Sequence, residues 1–507
     1  MSRHSIRYLP VQTRHHVVPF ELQMERELER VSRVFSTQDP FEPNILSGNN
    51  FTDPIPETFG NLKNFTDFRI DGTKISGKIP DFIGNWSKLQ RLDMQGTPME
   101  GPIPSSISLL IKLSELRISD LNGPSNRFPN LQDSKDLKHC KFYIYLICYY
   151  EVLRNCLITD SIPPYIFKEN LTRIDLSFNN LSGPIPETSP NADPEYMFLT
   201  NNSLTGEVPP WILKSRGKMD LSYNNFSGST DATNCVTQSL NLVSGYSSLE
   251  SNLLWCLKKD LPCPHKPQYY SLFINCGGNK TNFEGNEYEK DLNPEGASHF
   301  SSFEKWAYSS TGVFTVYDDL PYIEKYTSSL NVSGPEVYWT ARLAPLSLKY
   351  YGLCLRKGSY RVKLYFAEIM YSDDQTLGSL GKRIFDVSIQ GNLFLKDFNI
   401  MEAAGGVGIG IHREFDVNVT GSTLEIHLYW AGKGTTTIPK KGVYGPLISA
   451  IAVTPNFDTG KGLPAGAIAG IVLASCVLLV LTLVVLRMKG YLGGKDLEDK
   501  GVTCAEF

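Results

Sequence analysis

The sequence predicts three parts in order: a repeat solenoid, an all-β sandwich and one membrane-crossing helix. Three observations carry this. LxxLxLxxNxL-type spacing recurs between residues 46 and 228, apolar and polar residues alternate with period two between 271 and 455, and residues 465–486 carry no charge. With net charge −4, 20% charged and 41% hydrophobic residues, the composition is that of an ordinary globular chain. It offers no basic surplus to suggest nucleic acid.

The repeat comes first because a missed repeat misassigns the fold. LSFNNLSGPIP (176–186), LTNNSLTGEVP (199–209) and LSYNNFSG (221–228) superpose, and ISGKIP (75–80) and MEGPIP (99–104) share their second half. Anchors at Asn49, Thr73, Thr97, Leu121, Cys156, Asn179, Asn202 and Asn224 are spaced 24, 24, 24, 35, 23, 23 and 22 residues. Each unit places a short strand on one face and turns its Asn amide inward to backbone groups. One unit cannot bury its leucines alone, whereas a stack can. The outward strand positions Arg173, Asp175 and Ser177 are the expected recognition residues of the concave face. The spacing of 35 carries 11 extra residues within CKFYIYLICYY (140–150). An apolar insert is read as a membrane loop, a partner strand or, the favoured origin, an error such as translated intron sequence; its aromatic, β-branched content is an aggregation hazard.

A Cys-containing linker (229–270) with Cys235, Cys256 and Cys263 follows, and then the period changes. YRVKLYFAEIMY (360–371), RIFDVSIQGNLFL (383–395), EFDVNVTGSTLEIHLYW (414–430) and LISAIAVTP (447–455) alternate apolar and polar residues between Gly, Asn and Pro. That pattern predicts a sandwich over 271–455 without a useful amphipathic helix. AGGVGIGIH (404–412) lacks the GxGxxG phase of a phosphate loop and reads as a tight turn. Asp318 with Asp319, and Asp373 with Asp374, are the acids that an extracellular carbohydrate-active enzyme would draw on; adjacent loop acids ordinarily stay solvated. The 8 histidines show no metal spacing, and no cofactor is called for.

Residues 465–486 are 22 positions long, and at ~1.5 Å per residue they reach ~33 Å, enough for a ~30 Å hydrocarbon core. Arg487, Lys489, Lys495 and Lys500 follow the span while Lys461 alone stands close before it, which places the tail 487–507 in the cytoplasm and the N-terminal region outside. Sequons begin at Asn50, Asn64, Asn85, Asn170, Asn180, Asn201, Asn225, Asn279, Asn331 and Asn418, all before the span. Of the 10 cysteines, 8 also precede it, which fits an oxidising compartment. Residues 1–45 do not fit, because they contain no apolar run of signal-peptide length.

The repeat resembles the plant-type leucine-rich repeat, whose LxGxIP half-unit stands at Leu181 to Pro186. INCGG (274–278), GSYRVKLYFAEI (358–369), FDVSIQG (385–391) and STLEIHLYW (422–430) are similar to the malectin domain, a carbohydrate-binding sandwich. The order of parts resembles the extracellular half of plant leucine-rich-repeat receptor-like serine/threonine kinases with a malectin domain. The resemblance implies sugar-stacking aromatic faces at Tyr338 and Tyr371, with Met370 where the family has a second ring. As the sandwich's own cysteines, Cys276 and Cys354 are the preferred pair; a small Cys256–Cys263 loop is one option that leaves Cys235 without a partner, and sequence does not fix the connectivity. No HRD or DFG motif occurs, and the chain reads GVTCAEF where the family continues into its kinase. The function expected is a non-enzymatic, single-pass plasma-membrane receptor-like protein binding an extracellular glycan, peptide or partner ectodomain, with other receptor-like kinases as partners. The alternatives are a carbohydrate-active enzyme or an inert receptor fragment.

Overall fold

The repeat spacing translates directly into strand register. The computed structural model describes residues 44–47, 51–132, 150–168, 171–190, 193–228, 240–247, 253–314, 322–326, 332–372, 381–436, 444–459, 465–489 and 491. Nine short strands lie side by side in one sheet. They are β1 (Asn44–Ile45), β2 (Asp67–Arg69), β3 (Arg91–Met94), β4 (Glu115–Ser119), β5 (Tyr150–Arg154), β6 (Arg173–Asp175), β7 (Tyr196–Phe198), β8 (Lys218–Asp220) and β9 (Leu240–Asn241). All neighbours are parallel, and the partners Asp67, Arg91, Glu115, Tyr150, Arg173, Tyr196 and Lys218 are 24, 24, 35, 23, 23 and 22 residues apart.

The Asn residues close each turn as the pattern requires. The Asn202 side chain donates to Leu176 O and Leu199 O, each 3.0 Å, and accepts from Leu181 N at 3.0 Å. Asn224 repeats this with Leu199, Leu221 and Leu204. Where Thr73 and Thr97 stand instead, the shorter hydroxyl reaches only its own repeat, at Ile70 O and Met94 O.

Two boundaries move. The sheet begins at Asn44, before residue 46, and β9 continues it past Gly228 into the stretch read as a linker. There Leu242, Val243, Tyr246 and Leu257 are buried and join the repeat core. These residues lack the Asn and LxGxIP marks, so the pattern fades before the packing does. Of the insert at 140–150, Tyr150 alone is described; it opens β5, so 140–149 lie outside the described residues.

Among the described residues, the sandwich has two six-stranded sheets and a smaller three-stranded one of Ile323–Lys325, Thr340–Leu343 and Leu447–Ile448. The outer sheet runs β11-β12-β10-β21-β16-β19, from β10 (Leu272–Asn275), β11 (Thr281–Phe283), β12 (Asn286–Lys290), β16 (Gly358–Phe366), β19 (Ile411–Val419) and β21 (Ala450–Pro455). The inner sheet runs β13-β14-β15-β20-β17-β18, from β13 (His299–Ser302), β14 (Trp306–Thr311), β15 (Ser347–Gly352), β17 (Phe385–Ile389), β18 (Asn392–Phe398) and β20 (Leu424–Tyr429). Phe366 of the outer sheet meets Phe398 and Phe385 of the inner one at 5.1 and 6.1 Å between ring centroids. RIFDVSIQGNLFL is a hairpin turning at Gln390 and Gly391. EFDVNVTGSTLEIHLYW looks like another hairpin in sequence, yet β19 and β20 belong to different sheets.

Residues 455–507 form a separate unit. Its helix, Ala465–Met488, contains one stretch, Gly470–Met488, long and apolar enough to cross a membrane, with its side chains exposed.

Candidate functional site

The strand face of the repeats divides into two regions. Across β2 to β4, Asp67, Arg91 and Glu115 share one row, and Arg69, Asp93 and Arg117 the next, so signs alternate along and across the strands. Arg91 lies 3.4 Å from both Asp93 and Glu115, and Arg117 lies 2.6 Å from Glu115. This half of the face neutralises itself.

The second region is covered by the inner sheet of the sandwich. Each repeat turns just after its strand through one residue in the left-handed region: Gly72, Gly96, Asp120, Asn155, Phe178, Asn201, Tyr223 and Ser244, with φ between 49° and 67°. For bulky residues such as Phe and Tyr this costs on the order of 1 kcal/mol. The turn residues form a ridge, and the sandwich meets it. The Tyr429 hydroxyl donates to Asp120 Oδ1 at 3.0 Å, and Tyr351 donates to the Tyr223 hydroxyl at 2.7 Å. Phe178 packs on Tyr429 and, nearly parallel, on His427, at 4.8 and 6.1 Å. The Lys349 ammonium lies 3.9 Å from the centre of the Tyr223 ring, and Arg154 lies 5.1 Å over Trp430. At Gly96 the two backbones touch, since a Cβ there would lie 2.3 Å from the Gly432 carbonyl carbon.

Two of the three recognition residues expected from the sequence are closed over in the fold. Ser177 is fully buried and Asp175 nearly so, with its carboxylate 3.6 Å from the buried Arg154 guanidinium. Burial raises the Asp175 pKa, against the pull of Arg154 and Ser177. Arg173 is half-buried, 4.6 Å over the Tyr196 ring and 3.9 Å from Glu195. Periodicity identifies which residues leave the repeat core, but not what covers them.

Both tyrosines carried over from the malectin resemblance are also buried. Tyr371 is 1% exposed and packs 5.3 Å from the Arg383 guanidinium. Arg383 is itself held by Glu368 at 2.8 Å and donates to Gly445 O. The Glu of FAEI is therefore half of a buried ion pair that ties down the loops at this end of the sandwich. Tyr338 is 6% exposed, lies against Tyr365, and has its pKa pushed up to about 12 by burial and by Glu284. The residue beside it was missed: Trp339 is 37% exposed and pairs with the equally exposed Tyr326 at 5.5 Å. Ser333 N donates to Gly408 O, which links this segment to a shallow hollow lined by Ser372, Lys382, Asn399, Met401, Glu402 and Gly405. The sequence marks Trp339 only by its place next to Tyr338.

The cysteine assignment changes as well. Cys354 bonds Cys263, not Cys276, so the linker is fastened to the sandwich. Cys276 is a buried free thiol whose pKa is raised well above the ordinary value by burial and by Asp291. Cys256 is disulfide-bonded, so the small Cys256–Cys263 loop does not form. Of the sequon asparagines, Asn64, Asn85, Asn180, Asn201, Asn225, Asn279 and Asn418 are exposed, and Asn50, Asn170 and Asn331 lie outside the described residues. Among the described residues, no cluster of three or more His, Cys, Asp or Glu is placed to hold a metal.

Comparison with known proteins agrees with the two domains. The malectin domain family matches residues 270–451, and the leucine-rich repeat family matches residues 45–62 and 170–192. Over 392 residues, 75% of this chain, the sequence is 55% identical to a probable LRR receptor-like serine/threonine-protein kinase of Arabidopsis thaliana, of which it covers 37%. A second such kinase of that plant is 54% identical over 397 residues, again with 37% of its length covered. The ectodomain of the Arabidopsis receptor kinase HAESA, solved with a peptide hormone, aligns over 40% of this chain and 33% of its own at 23% identity, with a TM-score of 0.32. That overlap is too slight to bear on either fold or ligand. In its repeats and its malectin domain, the chain is similar to plant leucine-rich-repeat receptor-like serine/threonine kinases, over little more than a third of their length.

Proposed function

We propose that this chain acts as a single-pass, cell-surface receptor-type ectodomain that binds an extracellular glycan, peptide or partner ectodomain without performing chemistry itself. The observation that carries this reading is that exposed sequon asparagines occur on both the repeats and the sandwich, ahead of the one solvent-exposed apolar helix among the described residues. Such a helix has no use in water, and a bilayer accounts for it. The plasma membrane is the location this supports, with residues before the helix outside.

Recognition is assigned to the accessible end of the sandwich rather than to the covered strand face. Trp339 and Tyr326 offer flat apolar surfaces with polar edges, suited to a sugar ring or a prolyl or aromatic side chain. Ser372, Lys382 and Glu402 in the adjoining hollow supply a hydroxyl and both charges for orientation. The full chain, made in plant cells and extracted in detergent, should lose apparent mass on N-glycan removal. It should also bind members of a cell-wall oligosaccharide and peptide panel, and Trp339→Ala should weaken that binding about tenfold or more with the fold intact. Unchanged binding by Trp339→Ala would move the site elsewhere, and an unglycosylated soluble product would defeat the topology.

A further inference from the structure

The seam between repeats and sandwich contains one carboxyl group in an unusual setting. Asp220, at the end of β8, is fully buried. Its Oδ1 accepts from the Ser222 N–H at 3.1 Å and from the Ser222 hydroxyl, while the buried Oδ2 accepts no hydrogen bond. Ser298 and Thr311, both buried, bring hydroxyls to this carboxyl from the sandwich side and oppose the upward shift that burial causes. A buried carboxylate whose second oxygen has no donor within hydrogen-bonding distance is poorly placed in a dry seam, and protonation removes the charge that burial disfavours. We propose that Asp220 is a proton-binding site shared by the repeat sheet and the sandwich, and that docking of the two faces takes up a proton there.

The charges around it do not displace burial as the dominant influence. On the repeat side stand Lys218 in the same strand, Tyr223 in the following turn, neutral Asn241 in register on β9, and Asp175 two strands away. On the sandwich side are His299, beside Ser298, and Lys349, Tyr351, Glu425 and His427 on β15 and β20. Burial foremost, against the Ser222 hydrogen bonds, raises Asp220 to about 6, from ~3.9 in an open or unfolded chain. A raised carboxyl stabilises the closed seam in acid, and this contribution fades as pH rises between ~4 and ~6 and is gone above that. Between pH 7 and pH 5 the closing equilibrium should shift roughly tenfold toward the docked form through this group. His427 acts oppositely. Burial and Lys349 hold its pKa well below the usual imidazole value, so acid favours opening through that ring. Comparison of wild type with an Asp220 variant cancels the histidine.

Hydrogen–deuterium exchange of the full chain in detergent, corrected for the intrinsic pH dependence of amide exchange, tests this at residues 218–224 and 306–311. On acidification from pH 7 to pH 5, wild type should gain roughly tenfold more protection there than Asp220→Asn. Equal pH dependence in the two proteins overturns the proposal. Should Asp220→Asn fail to fold, Ser222→Ala decides, because loss of a donor to the carboxylate must move the wild-type transition to higher pH. An unmoved midpoint in that variant would equally refute proton uptake at Asp220.

Discussion

Away from the seam, where Arg154 and Asp175 pair, the repeat turns and the sandwich core bury polar groups by different means. In the repeats, an Asn amide bridges carbonyls of its own turn and the preceding one, and the same small device recurs every 22 or 23 residues at Asn179, Asn202 and Asn224. Among the described residues, the sandwich buries two ion pairs completely. Arg342 grips Asp291 through two donors at 2.6 and 2.7 Å, across 51 residues of sequence, and Tyr350 donates to the same carboxylate. Glu368 and Arg383 form the second pair. Burial opposes the charge on Arg342, yet Asp291 and the surrounding phenols leave its pKa raised, so the guanidinium keeps its charge. A periodic device spreads the cost of burial over many equivalent sites, whereas a singular one concentrates it.

The sharpest consequence is a difference in fragility. Asp291→Asn leaves a buried guanidinium without its counter-charge and should lower stability by ~3–5 kcal/mol, enough to unfold the sandwich. Denaturant unfolding followed by tryptophan fluorescence, to which Trp306 beside Tyr350 contributes, checks it. Asn202→Ala removes neutral hydrogen bonds only, and should cost ~1–3 kcal/mol, with the neighbouring turns still closed by Asn179 and Asn224. If the asparagine variant proved as damaging as the aspartate variant, the contrast between distributed and concentrated burial would be wrong.

The same contrast explains what was legible in the sequence. Repeat spacing predicted strand register residue for residue because each unit restates the rule, including the 35-residue step between β4 and β5. Period two identified the sandwich strands, yet it assigned neither β19 and β20 to separate sheets nor Cys354 to Cys263, since both depend on partners far along the chain. The candidate site was the least legible part. Asp175, Ser177, Tyr338 and Tyr371 have the right chemistry for recognition, but sequence does not report that a second domain, or the protein's own loops, already occupy their faces.

The seam tests the middle of the scale. Tyr429→Phe keeps the ring against Phe178 and removes only the hydrogen bond to Asp120, so a loss of ~0.5–1.5 kcal/mol is expected. Thermal unfolding of the full chain should register it as a small fall in melting temperature. A larger loss would show that Asp120 and Arg154 depend on the phenol as part of one network, since Arg154 lies 3.5 Å from Asp120 and 3.6 Å from Asp175.

The smallest effect should come from an interaction that looks the most deliberate in outline. Arg361 on β16 faces Asp416 on β19 in register, with contacts of 3.1 and 3.3 Å, which is the bidentate geometry of a strong pair. Both side chains are more than half exposed, however, so water solvates each ion whether or not they meet, and salt screens what attraction remains. Arg361→Ala should therefore leave the melting temperature unchanged within error, at low salt as at high. A fall matching that of Tyr429→Phe would mean that position across paired strands, rather than burial, decides the worth of a polar contact in this sandwich. The comparison with Asp291 and Arg342 would then have to be redrawn.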